Sequence, residues 1–213
     1  MSHPIRTALH STADIYADIT PAVTVRQFTD PAGYLATLAE SFGNCEILAC
    51  EVGSWAGLSA LRFAQAFPHG HIVCVDTWLG SSEHWLDRDN PRHDLRMVNG
   101  RPDIYGEFMA TAANYGDQIT PLPQTSIIAA QILKKAGFKF DLIYIDADHS
   151  YDGVRGGIRA FLPLLKEGGV MYGDDFSDPR FDVALAVSHE LAGFKVYEAN
   201  WWHWRKPVIE KNA

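Results

Sequence analysis

Cysteine is scarce in this 213-residue chain, with only Cys45, Cys50 and Cys74 present. An odd count does not suggest a disulfide framework. Cys50 and Cys74 stand inside apolar, strand-like runs, and free buried thiols are common in reducing compartments. Long hydrophobic runs are missing as well: none approaches the roughly 18 residues of a membrane span. Met1 to Thr12 lacks the basic and apolar regions of a signal peptide, so a cytoplasmic location is expected. Basic residues are in deficit, 18 Lys and Arg against 26 Asp and Glu, for a formal net charge of −8. No basic run occurs, which argues against a nonspecific grip on nucleic-acid phosphates. There is no internal repeat and no low-complexity tract.

What remains is ordinary globular material, 47% hydrophobic and 21% charged. The length fits one large domain and can bury a sizeable core. Residues 1–30 are mixed and interrupted by Pro4 and Pro21. They read as an irregular arm or lid, packing on a neighbouring subunit in a homo-oligomer. Residues 31–213 read as a single domain. Pro31 to Phe42 suits a helix, with Asp30 as N-cap and Gly43 as its stop. Apolar strand runs at Glu46–Cys50 and His71–Val75 flank a helical pattern at Ala60, Phe63, Ala64 and Phe67. A charged, turn-rich excursion follows at about 80–104. Helices are expected at Ile104–Tyr115 and Ser126–Ala136, with strands at Gln118–Leu122 and Phe140–Ile145. Val154 to Leu165 keeps helical spacing and Gly168-Gly169 should end that helix before a strand at Val170–Tyr172. A helix from about Pro179 to Leu191, with Asp178 as N-cap, and strands near Phe194–Tyr197 and Arg205–Ile209 finish the chain. Apolar strands alternating with helices predict a doubly wound α/β domain, a mostly parallel sheet covered on both faces.

In such folds ligands bind beyond the carboxyl ends of the strands, so the turns there hold the chemistry. The first reads Glu51-Val52-Gly53-Ser54-Trp55-Ala56-Gly57-Leu58-Ser59. Its G-x-x-x-G spacing lacks the G-x-G-x-x-G that cradles a pyrophosphate. An acid two residues before the first glycine suits a ligand carrying positive charge, such as a sulfonium with an ammonium group. Asp76, ending the second strand, can accept hydrogen bonds from the hydroxyls of an adenosine ribose, a device that dinucleotide folds share. Taken singly, each glycine is only a turn residue. The combination is what points to a nucleoside-bearing ligand.

Two later turns are acidic. Phe140–Ile145 runs into Asp146-Ala147-Asp148-His149, and Val170–Tyr172 into Gly173-Asp174-Asp175. Neighbouring parallel strands would bring Asp146, Asp174 and Asp175 around one point. Carboxylates that close repel one another unless a cation neutralises them, and oxygen donors with open positions suit Mg²⁺. The plainer reading is that Asp148 or Ser150 caps the helix beginning near Tyr151, and that His149 is a loop histidine.

Together these residues resemble the class I S-adenosylmethionine-dependent methyltransferases, in their metal-dependent O-methyltransferase branch. The segment from Glu51 to Arg62 is similar to the cofactor motif of the catechol-type enzymes. Asp146 with His149, and Asp174-Asp175, are similar to the macrolide-sugar branch. The resemblance spans roughly residues 45–176 and implies a seven-stranded sheet with one antiparallel edge strand. By position, it implies Glu51, Gly53 and Ser59 around the methionine end of the cofactor, with Ser54 and Gly57 also among the cofactor-binding residues. Asp76 would then bind the ribose, with Thr77, Trp78 and Ser126 near the adenine. Asp146, which also borders the cofactor, would hold Mg²⁺ with Asp174 and Asp175, and His149 would be the general base. Catechol-type relatives carry Lys at the base position and Asn at the last metal position, so a catechol-like acceptor does not follow.

The expected activity is Mg²⁺-dependent O-methylation of a small hydroxylated acceptor, a sugar or natural product. Trp85, His84 and Trp78 are the acceptor-site candidates. Along a strand, Trp202 and Trp204 would face one side and Trp201 and His203 the other. Rival readings are a metal-independent methyltransferase, a nucleotide-binding oxidoreductase on the same topology, and a binding module without turnover.

Overall fold

The computed structural model describes residues 3–10, 14–26, 29–86, 95–198 and 200–209. In chain order the elements are α1 (Pro4–His10), α2 (Ala32–Phe42), β1 (Leu48–Val52), α3 (Leu58–Ala66), β2 (His71–Asp76) and α4 (Ser82–Leu86). A short hairpin of β3 (Met97–Val98) and β4 (Arg101–Pro102) leads to α5 (Ile104–Ala112), β5 (Ile119–Pro123) and α6 (Ser126–Lys135). Then come β6 (Phe140–Ile145), α7 (Tyr151–Phe161), β7 (Leu165–Gly173), α8 (Val183–Glu190), β8 (Lys195–Tyr197) and β9 (Trp201–Arg205).

Seven strands form one sheet in the order β5-β2-β1-β6-β7-β9-β8, all parallel except β9, which runs antiparallel to both neighbours. The antiparallel strand thus stands one place in from the edge, with β8 outside it. Strand order reverses between β1 and β6, so the turns after those strands diverge and open the crevice where ligands of doubly wound folds bind. Side chains alternate between two cores. Cys50, Val52, Val73, Val75, Ile143, Ile145 and Met171 meet α6, α7 and α8 on one face. Ala49, Ile72, Cys74, Leu142, Tyr144 and Tyr172 meet α2, α3 and α5 on the other. Such burial contributes about 1.5–3 kcal/mol per large apolar side chain, which is why the strands read as apolar on both faces.

The carboxyl-terminal strand obeys the predicted alternation. Trp202 is fully buried in the first core with Trp204 packed against it, while Trp201 enters the second and the His203 ring bonds Tyr34. Its position is corrected: the strand covers Trp201–Arg205 rather than Arg205–Ile209. The helix expected from Pro179 begins at Val183, and Asp178 does not cap it; the Asp178 carboxylate instead accepts from the Arg180 backbone and guanidinium. Helix α7 ends at Phe161, before Pro163, and Gly168-Gly169 belongs to β7, where Gly168 pairs with Lys206 instead of stopping a helix.

The first residues also depart from an irregular arm. Helix α1 buries Ile5 in the first core, and Arg6 donates to Thr120 Oγ1 and to the carbonyls of Gly116 and Ile119. Strand β5 is an edge strand containing Pro121 and Pro123, and α1 occupies carbonyls that would otherwise face water there. No helix among the described residues is long and apolar enough to cross a membrane.

Candidate active site

The turn after β1 is shaped by one close approach. Gly53 lies at φ 98°, and a Cβ on it would sit 2.0 Å from the Asp146 carbonyl oxygen in the turn after β6. Only glycine lets these two turns touch. Gly57, at φ 89°, then admits α3 against Phe108 and Thr111. The Asp76 carboxylate stabilises this loop. Its Oδ2 accepts from the N–H groups of Ser54 (3.0 Å) and Trp55 (2.8 Å), and its Oδ1 from Trp78 (2.7 Å). The Thr77 backbone adds to these donors, so the carboxylate is anchored chiefly to the loop itself.

Glu51, at the end of β1, is 0% exposed. Burial pushes its carboxyl up to about 7, offset in part by the Ser54 and Ser59 hydroxyls that lie beside it. Neither carboxylate oxygen has a hydrogen-bond partner, and neither does Ser54 Oγ. A buried carboxyl costs several kcal/mol to ionise, so Glu51 stays neutral at lower pH and a cationic group beside it would favour its ionised form.

The remaining predicted cofactor residues divide. Ser126 opens α6, which is capped by Thr125, and lines a cavity of about 220 Å³ with Val52, Ile145, Asp148 and Asp152. Thr77 is exposed, its hydroxyl accepting from Leu79 N. Trp78 is nearly fully buried. Its Nε1 donates to Trp55 O, and its ring packs between Tyr105 and Phe108. That burial corrects its candidacy for the acceptor site: it supports the loop from beneath. Trp85 is partly exposed, and the His84 ring stacks on Trp55 at 4.1 Å, so these two stay near the loop's outer side.

The acidic turns converge as expected, with a different innermost set. Asp146, His149 and Asp175 place one donor atom each within 4.8 Å of one another. His149 Nε2 is 3.5 Å from Asp146 Oδ1 and 3.2 Å from Asp175 Oδ2, and its ring stacks on Phe181 at 4.3 Å. Asp175 holds the left-handed φ of 58° that turns it toward them. Asp174 is buried beside the group, but its Oδ1 accepts from Asp175 N (2.7 Å) and from Asn200 Nδ2. Burial and the neighbouring Asp146 charge push Asp174 up to about 8 and Asp175 up to about 6. Ser150 caps α7 by accepting from Gly153 N, and Asp148 accepts from Ser150 N.

Sequence reasoning missed two participants. Tyr144 O–H donates to Asp146 Oδ2 at 2.6 Å. Its place two residues before Asp146, on the same strand face, was the available signal. Asn200, in the turn before β9, carries no such signal, because only the fold brings it to Asp174.

A family model described as a methyltransferase domain matches residues 50–176, more than half of the chain. No curated protein sequence matches. Among solved structures, a calicheamicin methyltransferase superposes with a TM-score of 0.61 at 18% identity, covering 82% of this chain and 77% of that one. An O-methyltransferase from Bacillus cereus in complex with SAH gives 0.55 at 16% identity, covering 86% and 84%. MycE methyltransferase from the mycinamycin pathway, in complex with Mg, SAH and mycinamycin VI, gives 0.53 at 15%, covering 85% of this chain and 50% of that one. At these identities the superpositions establish the fold, and the family match supplies the activity: the chain belongs to the methyltransferase-domain family and is an S-adenosylmethionine-dependent methyltransferase of class I fold.

Proposed function

We propose that the protein methylates a hydroxyl oxygen of a small molecule, a sugar or another natural product, with the help of Mg²⁺. The observation that carries this reading is the Asp146–His149–Asp175 group set beside the unpartnered carboxylate of Glu51. Calicheamicin and mycinamycin, named for two proteins of similar fold, are compounds of the expected acceptor class.

The residues fit both groups. S-adenosylmethionine, when bound, supplies a methyl on a positively charged sulfur. Glu51 meets its ammonium, and ionises when that positive charge enters the buried site. The Gly53 turn, held by Asp76, brings backbone close enough for the methionine end, with Ser54, Gly57 and Ser59 around it. Ser126 and Thr77 flank the adenine side, and Asp76 takes one ribose hydroxyl. Asp146 and Asp175 would hold Mg²⁺, with Asp174 behind them offering its second oxygen, and the ion would lower the pKa of an acceptor hydroxyl and orient it. Mg²⁺ prefers oxygen donors, which leaves the His149 nitrogen available as a base. His149, its ring stacked on Phe181, would take the hydroxyl proton. The acceptor oxygen would bond to the methyl carbon as the carbon–sulfur bond breaks, the neutral thioether would leave, and the proton would stay on His149. Charge is lost in this step, so positioning contributes most, up to about 7–11 kcal/mol.

Free thiols at Cys45, Cys50 and Cys74 accord with a cytoplasmic location. The test is calorimetric titration with S-adenosylhomocysteine in Mg²⁺ and in chelator, followed by methyl transfer to sugar and phenol acceptors. Binding in both with transfer only in Mg²⁺ supports the reading. Transfer that survives chelation favours the metal-independent alternative.

A further inference from the structure

Tyr144 adjoins both Glu51 and the Asp146 turn. In the strand register it lies between Glu51 of β1 and Tyr172 of β7. Its ring stacks on Tyr172 at 4.6 Å with an interplanar angle of 12°, and Tyr172 in turn packs on Tyr34. The ring is therefore packed against Tyr172 and Trp201. From that seat the hydroxyl reaches the Asp146 carboxylate and donates to Oδ2 at 2.6 Å, the length of a strong charge-assisted bond. Glu51, the other acid beside it, receives nothing from this phenol.

We propose that Tyr144 is a positioning residue for the metal centre: its O–H holds Asp146 Oδ2 and thereby presents Oδ1 to the ion. The coordinates agree with that division of labour, because it is Oδ1 that faces His149 at 3.5 Å while Oδ2 is held by the phenol. A carboxylate with one oxygen held binds an ion through the other and pays less rotational entropy on doing so. The same bond withdraws charge from Asp146, which moderates its repulsion with Asp175 before the ion arrives. The inference rests on the metal reading given above. It adds which residue outside the ligand set governs affinity, and through which atom.

The experiment is Mn²⁺ titration followed by the electron paramagnetic resonance of free Mn²⁺, with wild type, Tyr144→Phe and Tyr34→Phe. S-adenosylhomocysteine affinity is measured on each protein as a check on the fold. Tyr144→Phe keeps the stacked ring and removes only the hydroxyl. Roughly tenfold or greater weakening of Mn²⁺ is expected for it, the effect usual for a lost partner of a metal ligand. Its cofactor affinity should match wild type. Tyr34→Phe loses a bond to His203 in the same aromatic stack and should bind Mn²⁺ as wild type does. A purely structural role would affect both variants alike, or reduce cofactor binding along with the metal, and either result overturns the assignment. Equal Mn²⁺ affinity of wild type and Tyr144→Phe overturns it as well, leaving the metal reading intact. If wild type binds no Mn²⁺ at millimolar concentration, the metal reading fails and the role of Tyr144 fails with it. Should Tyr144→Phe not fold, wild type labelled with 3-fluorotyrosine gives the answer: a fluorine resonance shifted by Mg²⁺ and unshifted in Asp146→Asn is expected, and no such resonance refutes the contact.

Discussion

Replacing Glu51 with Gln should make the ligand-free protein more stable while weakening its hold on the cofactor. Burial raises the Glu51 carboxyl from 4.5 to about 7. Below the unfolded value the group is neutral in both states and carries no penalty. As pH rises from 4.5 toward 7, the unfolded chain ionises first, so the unfolded state is favoured progressively. The stability associated with neutral Glu51 is therefore complete below pH 4.5 and lost as pH rises through about 7. At about 1.4 kcal/mol per unit, the loss by pH 8 is about 3 kcal/mol. Gln is nearly isosteric and stays neutral. In chelator, Glu51→Gln should gain about 3 kcal/mol over wild type at pH 8, or roughly 6–12 °C in Tm for a chain of this size. At pH 4.5 the two should differ by about 0.5 kcal/mol at most. The same substitution removes the anion that meets an ammonium, so S-adenosylhomocysteine should bind roughly tenfold to a hundredfold more weakly. Wild-type affinity should rise with pH up to about 7, with proton release visible as a dependence of binding enthalpy on buffer. Urea unfolding at the two pH values and calorimetry in two buffers read these quantities. Equal stabilities at pH 8, or unchanged affinity in the variant, would refute the reasoning.

Gly53→Ala should cost at least about 3 kcal/mol or prevent folding, because the new Cβ would overlap the Asp146 carbonyl at 2.0 Å; denaturant unfolding measures it. Asp76→Asn turns an N–H donor toward the loop amides, and should weaken S-adenosylhomocysteine binding roughly tenfold while leaving Mn²⁺ affinity unchanged. An equal loss of both ligands would show that Asp76 acts on the whole site. Burial depresses His71 from 6.5 to about 3. A base depressed in this way gives stability that is present above pH 6.5 and lost as pH falls. Between pH 7 and 5 the His71 contribution is about 2 kcal/mol, read as the difference in pH slope between wild type and His71→Gln, because the raised carboxyls of Glu51, Asp174 and Asp175 oppose it equally in both proteins. An unchanged slope in His71→Gln would move the titration elsewhere.

Elements bounded by abrupt changes in chemistry were legible in the sequence. Phe140–Ile145 was placed to the residue, because a run of apolar side chains meets Lys139 on one side and Asp146 on the other. The convergence of Asp146 with Asp175 followed from neighbouring parallel strands. Errors arose where two rules competed. Gly168-Gly169 looked like a helix stop, yet Pro163 had already ended α7 and the glycines sit in a strand that pairs with β9. Asp178-Pro179 had the form of a helix start, but Arg180 captured the Asp178 side chain locally. The N-terminal helix was hidden because its amphipathic stripe is a single turn of Ile5 and Leu9, and its docking depends on Arg6 finding carbonyls more than a hundred residues away. Residues 87–94, the heart of the expected excursion, lie outside the described residues.

One row across the sheet explains why the site tolerates little variation in register. Cys74, Glu51, Tyr144 and Tyr172 are successive partners in β2, β1, β6 and β7. They face the same core, so Glu51 and the phenol that donates to Asp146 sit on adjacent strands. A slip of β6 by one residue would replace Tyr144 with Ile143 or Ile145 on that face and bury a phenol among Val154 and Ile158 on the other. It would also pull the Asp146 carbonyl from its contact with Gly53. Three independent constraints, namely the two-core alternation, the glycine contact and the phenol–carboxylate bond, thus select the same register.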